Sequence, residues 1–576
     1  MTAPQRPPRR GPAAECDLVL KGGITSGVAY PGAIIALGRA FRLRNIGGTS
    51  AGAIASAVAA AVEFRRQRTG EEGFAEPLTE LVDDLGTPGF TADLLHPTAA
   101  TRPLMKMLLA GLQQGTSPLR RLLAIVGLLL RARAWWPALA FACAGGLAWL
   151  TIAAPGLAWW STALLVAVLA LFAAGVSIAG CAAMLARAAL RSLGAPENGF
   201  AMCSGMPVRD GRPALTPWLH ATIQRIAGLE PEQPLTFEDL EREGIVLALL
   251  TTDLSDGAPV SLPLAAPGAY WFDPDDVRRL LPAPAAAHLL EHSTEDYESA
   301  LRMLPGKQLP VVMAVRMSLS VPLLISAIGL YGLDPHTGRP SREHRVWFTD
   351  GAVTSNFPIT FFDAWVPGRP TFGLDLRPHP GRLSPRRAAD RPPNEEMVVL
   401  PDRTGPPPLW HDVAGAGGFV RQLLDALMNW RDTAQSQLPG YRDRICQIRL
   451  AEDEGGLNLN MSDETIAALN ERGKIAGTKL VERFDSDGRR QQAVARYLLL
   501  MRLLQGELRA ADEKLDEVGA GLREGLRAMP GFEDSDVALR ELAQVAAYWQ
   551  QGRSGLDFES PPAPVPAAAM RVGPQL

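Results

Sequence analysis

Several things are scarce in this chain of 576 residues, and each scarcity removes a class of function. Its five cysteines (Cys16, Cys143, Cys181, Cys203, Cys446) form no CxxC pair and no metal-like spacing. Neither a disulfide framework nor a zinc site is expected, and a reducing compartment fits. Charge of one sign is not in excess: the formal net charge is −4, which gives no reason to expect nucleic acid as a partner. The first 14 residues are rich in proline and arginine and contain no apolar core, so they read as a disordered arm and not as a signal peptide. Histidines number eight, mostly in settings that suggest surface positions. Charge of either sign is missing altogether from residues 134–186.

That charge-free stretch divides at Ala154-Pro155-Gly156. Residues 135–153 have about the length that spans a bilayer, and residues 157–186 exceed it. Trp135 and Trp136 stand at one end; Trp149, Trp159 and Trp160 gather near the break, as interfacial tryptophans do. Arg120, Arg121, Arg131 and Arg133 precede the pair, and Arg187 and Arg191 follow it. By the positive-inside rule both flanks face the cytoplasm. The expectation is a membrane helical hairpin inserted at residues 118–191, with the rest of the chain on the cytoplasmic side. A hairpin buried in a soluble core is the competing reading.

What is abundant is glycine at strand ends. Residues 16–21 form an apolar strand running into Gly22-Gly23-Ile24-Thr25-Ser26-Gly27, and a helical stretch follows over residues 28–40. Residues 41–46 alternate as a second strand and run into Gly48-Thr49-Ser50-Ala51-Gly52, followed by an alanine-rich helix. Two strand–turn–helix units in succession predict an α/β fold with a mostly parallel sheet, with both turns at its carboxyl edge. A serine flanked by glycines at such a turn is a nucleophile elbow, which pushes its Oγ outward. Later, residues 345–348 form a strand that ends in Asp350-Gly351-Ala352.

Taken together, these motifs resemble the patatin-like phospholipases. The resemblance rests on Gly22, Gly23 and Gly27 after the first strand, Ser50 between Gly48 and Gly52, and Asp350-Gly351-Ala352 followed by Asn356 and Pro358. Thr252-Asp253-Leu254 and the block from Arg316 to Pro322 fit the same pattern. It implies a three-layer α/β fold and a catalytic Ser50–Asp350 dyad acting on carboxylic esters of lipids. It also implies an oxyanion hole from the amides of Gly22, Gly23, Ile24 and Ala51, with no cofactor and no metal. Membrane lipids are then both substrate and environment, while protein partners are left open. Two positions depart from the family: Ile24 replaces the third glycine and Ser26 the basic residue, leaving Lys21 as the nearest cation. A Ser-His-Asp triad using His379 or His411 is the rival arrangement. Lipid transacylation, or a catalytically weak membrane scaffold on the same fold, would also be compatible with these motifs.

The expected organisation is a catalytic domain in two parts, residues 15–117 and 192–376, separated by the hairpin insertion. A proline-rich linker or loop follows at 377–408, then a mixed and finally helical region at 409–560, and a disordered tail at 561–576.

Overall fold

The computed structural model describes residues 12–527 with interruptions at 13, 24, 71–73, 88, 113–117, 133–134, 154–158, 209–210, 212, 365, 380–390, 402–412, 414, 439, 452–453, 456–457 and 460, and also residues 541, 544 and 545. The N-terminal arm, the C-terminal tail, the Pro155-Gly156 break, Ile24 and His411 therefore fall outside the described residues.

The first strand, Glu15–Leu20, is buried along almost its whole length, as an apolar run with neighbours on both sides must be. It pairs in parallel with Arg42–Thr49 on one side and Thr371–Pro378 on the other. Val246–Asp253 extends the parallel set beyond Arg42–Thr49, and Ile445–Leu450 extends it beyond Thr371–Pro378. These five parallel strands form the centre of a twelve-stranded sheet.

The expected mostly parallel sheet is corrected here, because the sheet is mixed. Pro340–Asp350 joins Val246–Asp253 antiparallel, Ile328–Leu333 joins Pro340–Asp350 antiparallel, and the short strands Trp271–Phe272, Leu301–Met303 and Glu295–Asp296 continue antiparallel. The reason lies in the connections. Parallel neighbours need a long crossover, usually a helix, whereas Ile328–Leu333 turns into Pro340–Asp350 through a short loop that permits only a hairpin. Ala258–Leu262 likewise folds back on Val246–Asp253 across a turn at Asp256-Gly257.

Three helices build the core beside the site. Ala51–Thr69 leaves the end of Arg42–Thr49 and buries an alanine face with almost no protruding side chain, so it lies close to the sheet. Tyr30–Ala40 packs along Asp463–Arg483, which Ser462 caps through its hydroxyl on the Thr465 N–H (3.3 Å). The C-terminal region is thus built into the same core. Ile445–Leu450 is a sheet strand, and Val398–Val399, inside the stretch expected as a linker, is the strand at the sheet edge.

In the insertion, helix Trp135–Ala153 packs against the much longer Trp159–Leu193. Trp136 donates its indole N–H to the Val176 carbonyl of that neighbour at 3.2 Å. One helix, Trp160–Leu193, is long and apolar enough by itself to cross a membrane. Trp135–Leu150 qualifies only jointly with Leu123–Arg131, across a bend of 92°. Leu164, Leu171, Phe172 and Trp160 are exposed on the long helix, with Leu171 at 74%. That exposure is the opposite of what a hairpin buried in a soluble core would show. Past this helix, Ala201–Cys203 pairs with Leu323–Ile325 and ties the insertion to the rest of the fold.

Candidate active site

Ser50 sits where the strand Arg42–Thr49 meets the helix Ala51–Thr69, with φ 54° and ψ −128°. A positive φ is strained for a serine, and the strain persists because the surroundings hold it. Its N–H donates to Ser318 Oγ (3.1 Å), and that hydroxyl donates to the Leu250 carbonyl (2.5 Å). The flanking glycines are required by close approach. A Cβ on Gly52 would run into the carbonyls of Leu20 and Lys21, and one on Gly48 into the Gly52 carbonyl.

Asp350 arrives on the end of Pro340–Asp350 and opens a single turn, Gly351–Val353. One carboxylate oxygen accepts the Ala352 N–H at 2.8 Å, the other accepts the Ser50 hydroxyl at 2.7 Å. Serine and aspartate, 300 residues apart, therefore meet directly, with no histidine between them. Gly351 lies against Thr49 and the Leu250 carbonyl, where no side chain fits. His379 follows the strand Thr371–Pro378 and gives its backbone N–H to the Leu450 carbonyl (2.8 Å).

Both members of the pair are only 3% exposed. Burial pushes the Asp350 carboxyl up to about 6, against the hydrogen bonds from Ala352 and Ser50 that act to lower it. A carboxylate so placed is a better base than an ordinary aspartate and is still ionised at neutral pH.

A further layer holds Asp350. Its N–H donates to the Ser320 carbonyl (2.9 Å), and the Thr349 hydroxyl donates to the same oxygen (2.8 Å). Arg316, fully buried, donates to Ser320 Oγ (2.7 Å), to Ser326 Oγ (2.6 Å) and to the Ser204 carbonyl (3.0 Å). Burial brings its pKa down to about 10.

The glycine loop is placed as the motif order requires, with one difference. Gly22 packs against Ser50: a Cβ there would lie 3.1 Å from Ser50 Cβ and collide with Asn356. Its N–H, expected in the oxyanion hole, donates instead to the Asn356 carbonyl at 2.9 Å, because the loop after Asp350 crosses it. The Gly23 and Ala51 amides have no hydrogen-bond acceptor among the described residues. Gly27 rests against Ala51 at the start of helix Ala51–Thr69. Ser26 is buried, and Lys21, the nearest cation in sequence, bonds Asp375 Oδ1 through its Nζ at 2.7 Å. Burial acts to raise the Asp375 carboxyl; Lys21 and Arg377 outweigh it and hold it below the usual range.

Beside the elbow lies an apolar cavity of about 130 Å³. Ala51, Ile54, Ala55 and Val58 of helix Ala51–Thr69 form one wall, with Leu95, Trp218 and Leu319 among the others.

The sequence did not disclose that Ser318 accepts the Ser50 N–H, although its motif block was noted, nor that Asp432 reaches the loop after Asp350, a contact with no local signal.

The sequence model of the patatin-like phospholipase family matches residues 18–363. A protein of Rhizobium meliloti (strain 1021) described as "RpoH suppressor" is 34% identical over 545 residues, covering 81% of this chain and 82% of that one. Among solved structures, the crystal structure of VipD from Legionella pneumophila aligns over 96% of this chain and 91% of that chain, with 13% identity and a TM-score of 0.26.

Proposed function

From the premise that this chain belongs to the patatin-like phospholipase family, we propose that it hydrolyses carboxylic esters of membrane lipids through an acyl-enzyme on Ser50. Activity as a lipid acyl hydrolase follows in general terms from the family. The mechanism is our reading, and the direct 2.7 Å bond between Ser50 Oγ and Asp350 carries it.

Ser50 Oγ attacks the ester carbonyl while its proton passes to Asp350. The negative charge that develops on the carbonyl oxygen meets the Gly23 and Ala51 amides, with the dipole of helix Ala51–Thr69 behind Ala51. Asp350 then returns the proton to the departing alcohol as the C–O bond breaks. In the second half Asp350 takes a proton from water, the hydroxide attacks the acyl carbon, and the proton goes back to Ser50. Proton and charge balance without a further group. The apolar cavity along Ile54, Ala55 and Val58 receives the acyl chain.

The same proposal includes the membrane. The exposed apolar helix Trp160–Leu193, and its neighbour Trp135–Ala153, anchor the enzyme in the bilayer with the catalytic domain on the cytoplasmic side. Anchoring replaces diffusion to the substrate with a lateral search. Purified Ser50→Ala and Asp350→Asn should lose hydrolysis of phospholipids and of fluorogenic acyl esters; undiminished activity in Ser50→Ala ends the reading. Release of the protein from membranes by alkaline carbonate without detergent would contradict the anchor.

A further inference from the structure

Beyond the family-matched segment, helix Gly415–Ser436 sends a buried carboxylate back to the catalytic loops. Asp432 is 4% exposed. One of its oxygens accepts the Ser355 hydroxyl at 2.8 Å; the other accepts the N–H groups of Asn356 (2.6 Å) and Phe357 (2.9 Å). Those three residues follow the Asp350 turn directly, and the Asn356 carbonyl accepts the Gly22 N–H. The Asn356 side-chain amide donates to Asn429 on the same helix at 3.4 Å. A second route reaches the loop from its other side. Ser436 accepts from Arg377 (2.9 Å), and Arg377 and Lys21 both hold Asp375, with Lys21 immediately before Gly22.

We infer that Asp432 is a positioning residue for the oxyanion loop, fixing the Gly22 peptide through Asn356 and so setting where the Gly23 amide points. The inference rests on the acyl-enzyme reading above. Consecutive glycines are conformationally permissive, so Gly22-Gly23 does not hold one geometry by itself. Oxyanion donors act only if aimed beforehand, since reorganising them during the reaction cancels their benefit. A buried carboxylate is costly unless donors surround it, and here all three donors come from residues 355–357. The helix itself is otherwise largely exposed, with Phe419, Leu427 and Trp430 in solvent, so the carboxylate is directed to the loop and not to a core of its own.

The test uses the full-length protein in detergent, a fluorophosphonate probe and a soluble acyl ester. Asp432→Leu removes the acceptors and leaves two amides unpaired. Asp432→Asn keeps one oxygen for both amides and can donate to Ser355. In folded Asp432→Leu, kcat and the rate of labelling at Ser50 should both fall about 10- to 100-fold, the scale set by misplacing a catalytic group by a fraction of an ångström to an ångström. KM should stay within about threefold of wild type, and Asp432→Asn should recover most of the rate. A purely structural role would lower the melting temperature and leave kcat of the folded protein unchanged, which overturns the inference. Should Asp432→Leu fail to fold, Ser355→Ala removes one of the donors that hold Asp432 against the loop: kcat about threefold lower at unchanged KM supports the inference, and unchanged kcat overturns it. Wild type that takes no label overturns the acyl-enzyme reading and the clamp with it; labelled wild type alongside an equally reactive Asp432→Leu overturns the clamp alone.

Discussion

Asp350→Asn should abolish turnover and at the same time stabilise the fold, by an amount that depends on pH in a calculable way. Burial raises the Asp350 carboxyl from 3.8 to about 6, with the Ala352 and Ser50 hydrogen bonds opposing it. The folded state therefore holds the proton more tightly than the unfolded chain. The stability this contributes is complete below about pH 4 and is lost as pH rises through about 6. About two pK units at ~1.4 kcal/mol each make the buried charge cost roughly 3 kcal/mol at pH 8. At pH 5 the unfolded carboxyl is mostly ionised and the folded one mostly protonated, so about half of that cost is already present. Asparagine can keep both bonds, its oxygen on the Ala352 N–H and its amide on Ser50 Oγ, with no charge to bury. The stability gap between Asp350→Asn and wild type should therefore widen by about 1 to 2 kcal/mol between pH 5 and pH 8. Denaturant titration of both proteins in one detergent at both pH values measures this, and subtraction cancels the other titrating groups. A gap that is flat or narrows with pH refutes the argument.

Three other outcomes are expected. The rate kcat/KM should fall about tenfold per pH unit below a limb near 6, as Asp350 takes up its proton, and a limb near 4 would place the base elsewhere. Ser318→Ala strands the Ser50 N–H and should cost about 1–3 kcal/mol in denaturant stability, along with a several-fold loss of kcat. Ile54→Trp fills the cavity and should lower kcat/KM on a palmitoyl ester by at least about tenfold while sparing an acetyl ester; equal losses on both would remove the cavity from the acyl path.

The parts of this molecule that the sequence discloses are those whose physics is local. Ser50 is visible because its two glycines and the turn lie within five residues, and Asp350 because a strand end and a turn glycine adjoin it. The Gly22 loop lies beside Ser50, yet the use of its amide was not legible, since its acceptor Asn356 lies 334 positions away and nothing near Gly22 announces it. Asp432 is hidden for the same reason: a lone aspartate on an amphipathic helix looks like any solvated one until the loop it faces is known. The mixed sheet was missed because its antiparallel half consists largely of strands such as Trp271–Phe272 and Glu295–Asp296, too short to show alternation. The apolar insertion was legible as apolar and long. Its two helices proved unequal, with the longer one able to span a membrane alone.

The pairing of Ser50 with Asp350 as an acyl-transfer dyad is tested most directly by covalent labelling. Full-length protein treated with a fluorophosphonate and digested for mass spectrometry should carry one adduct, on Ser50. Ser50→Ala should carry none, and Asp350→Asn should label more slowly by about 100-fold or more. An adduct on another serine, or lipid hydrolysis that persists in Ser50→Ala, would contradict the account.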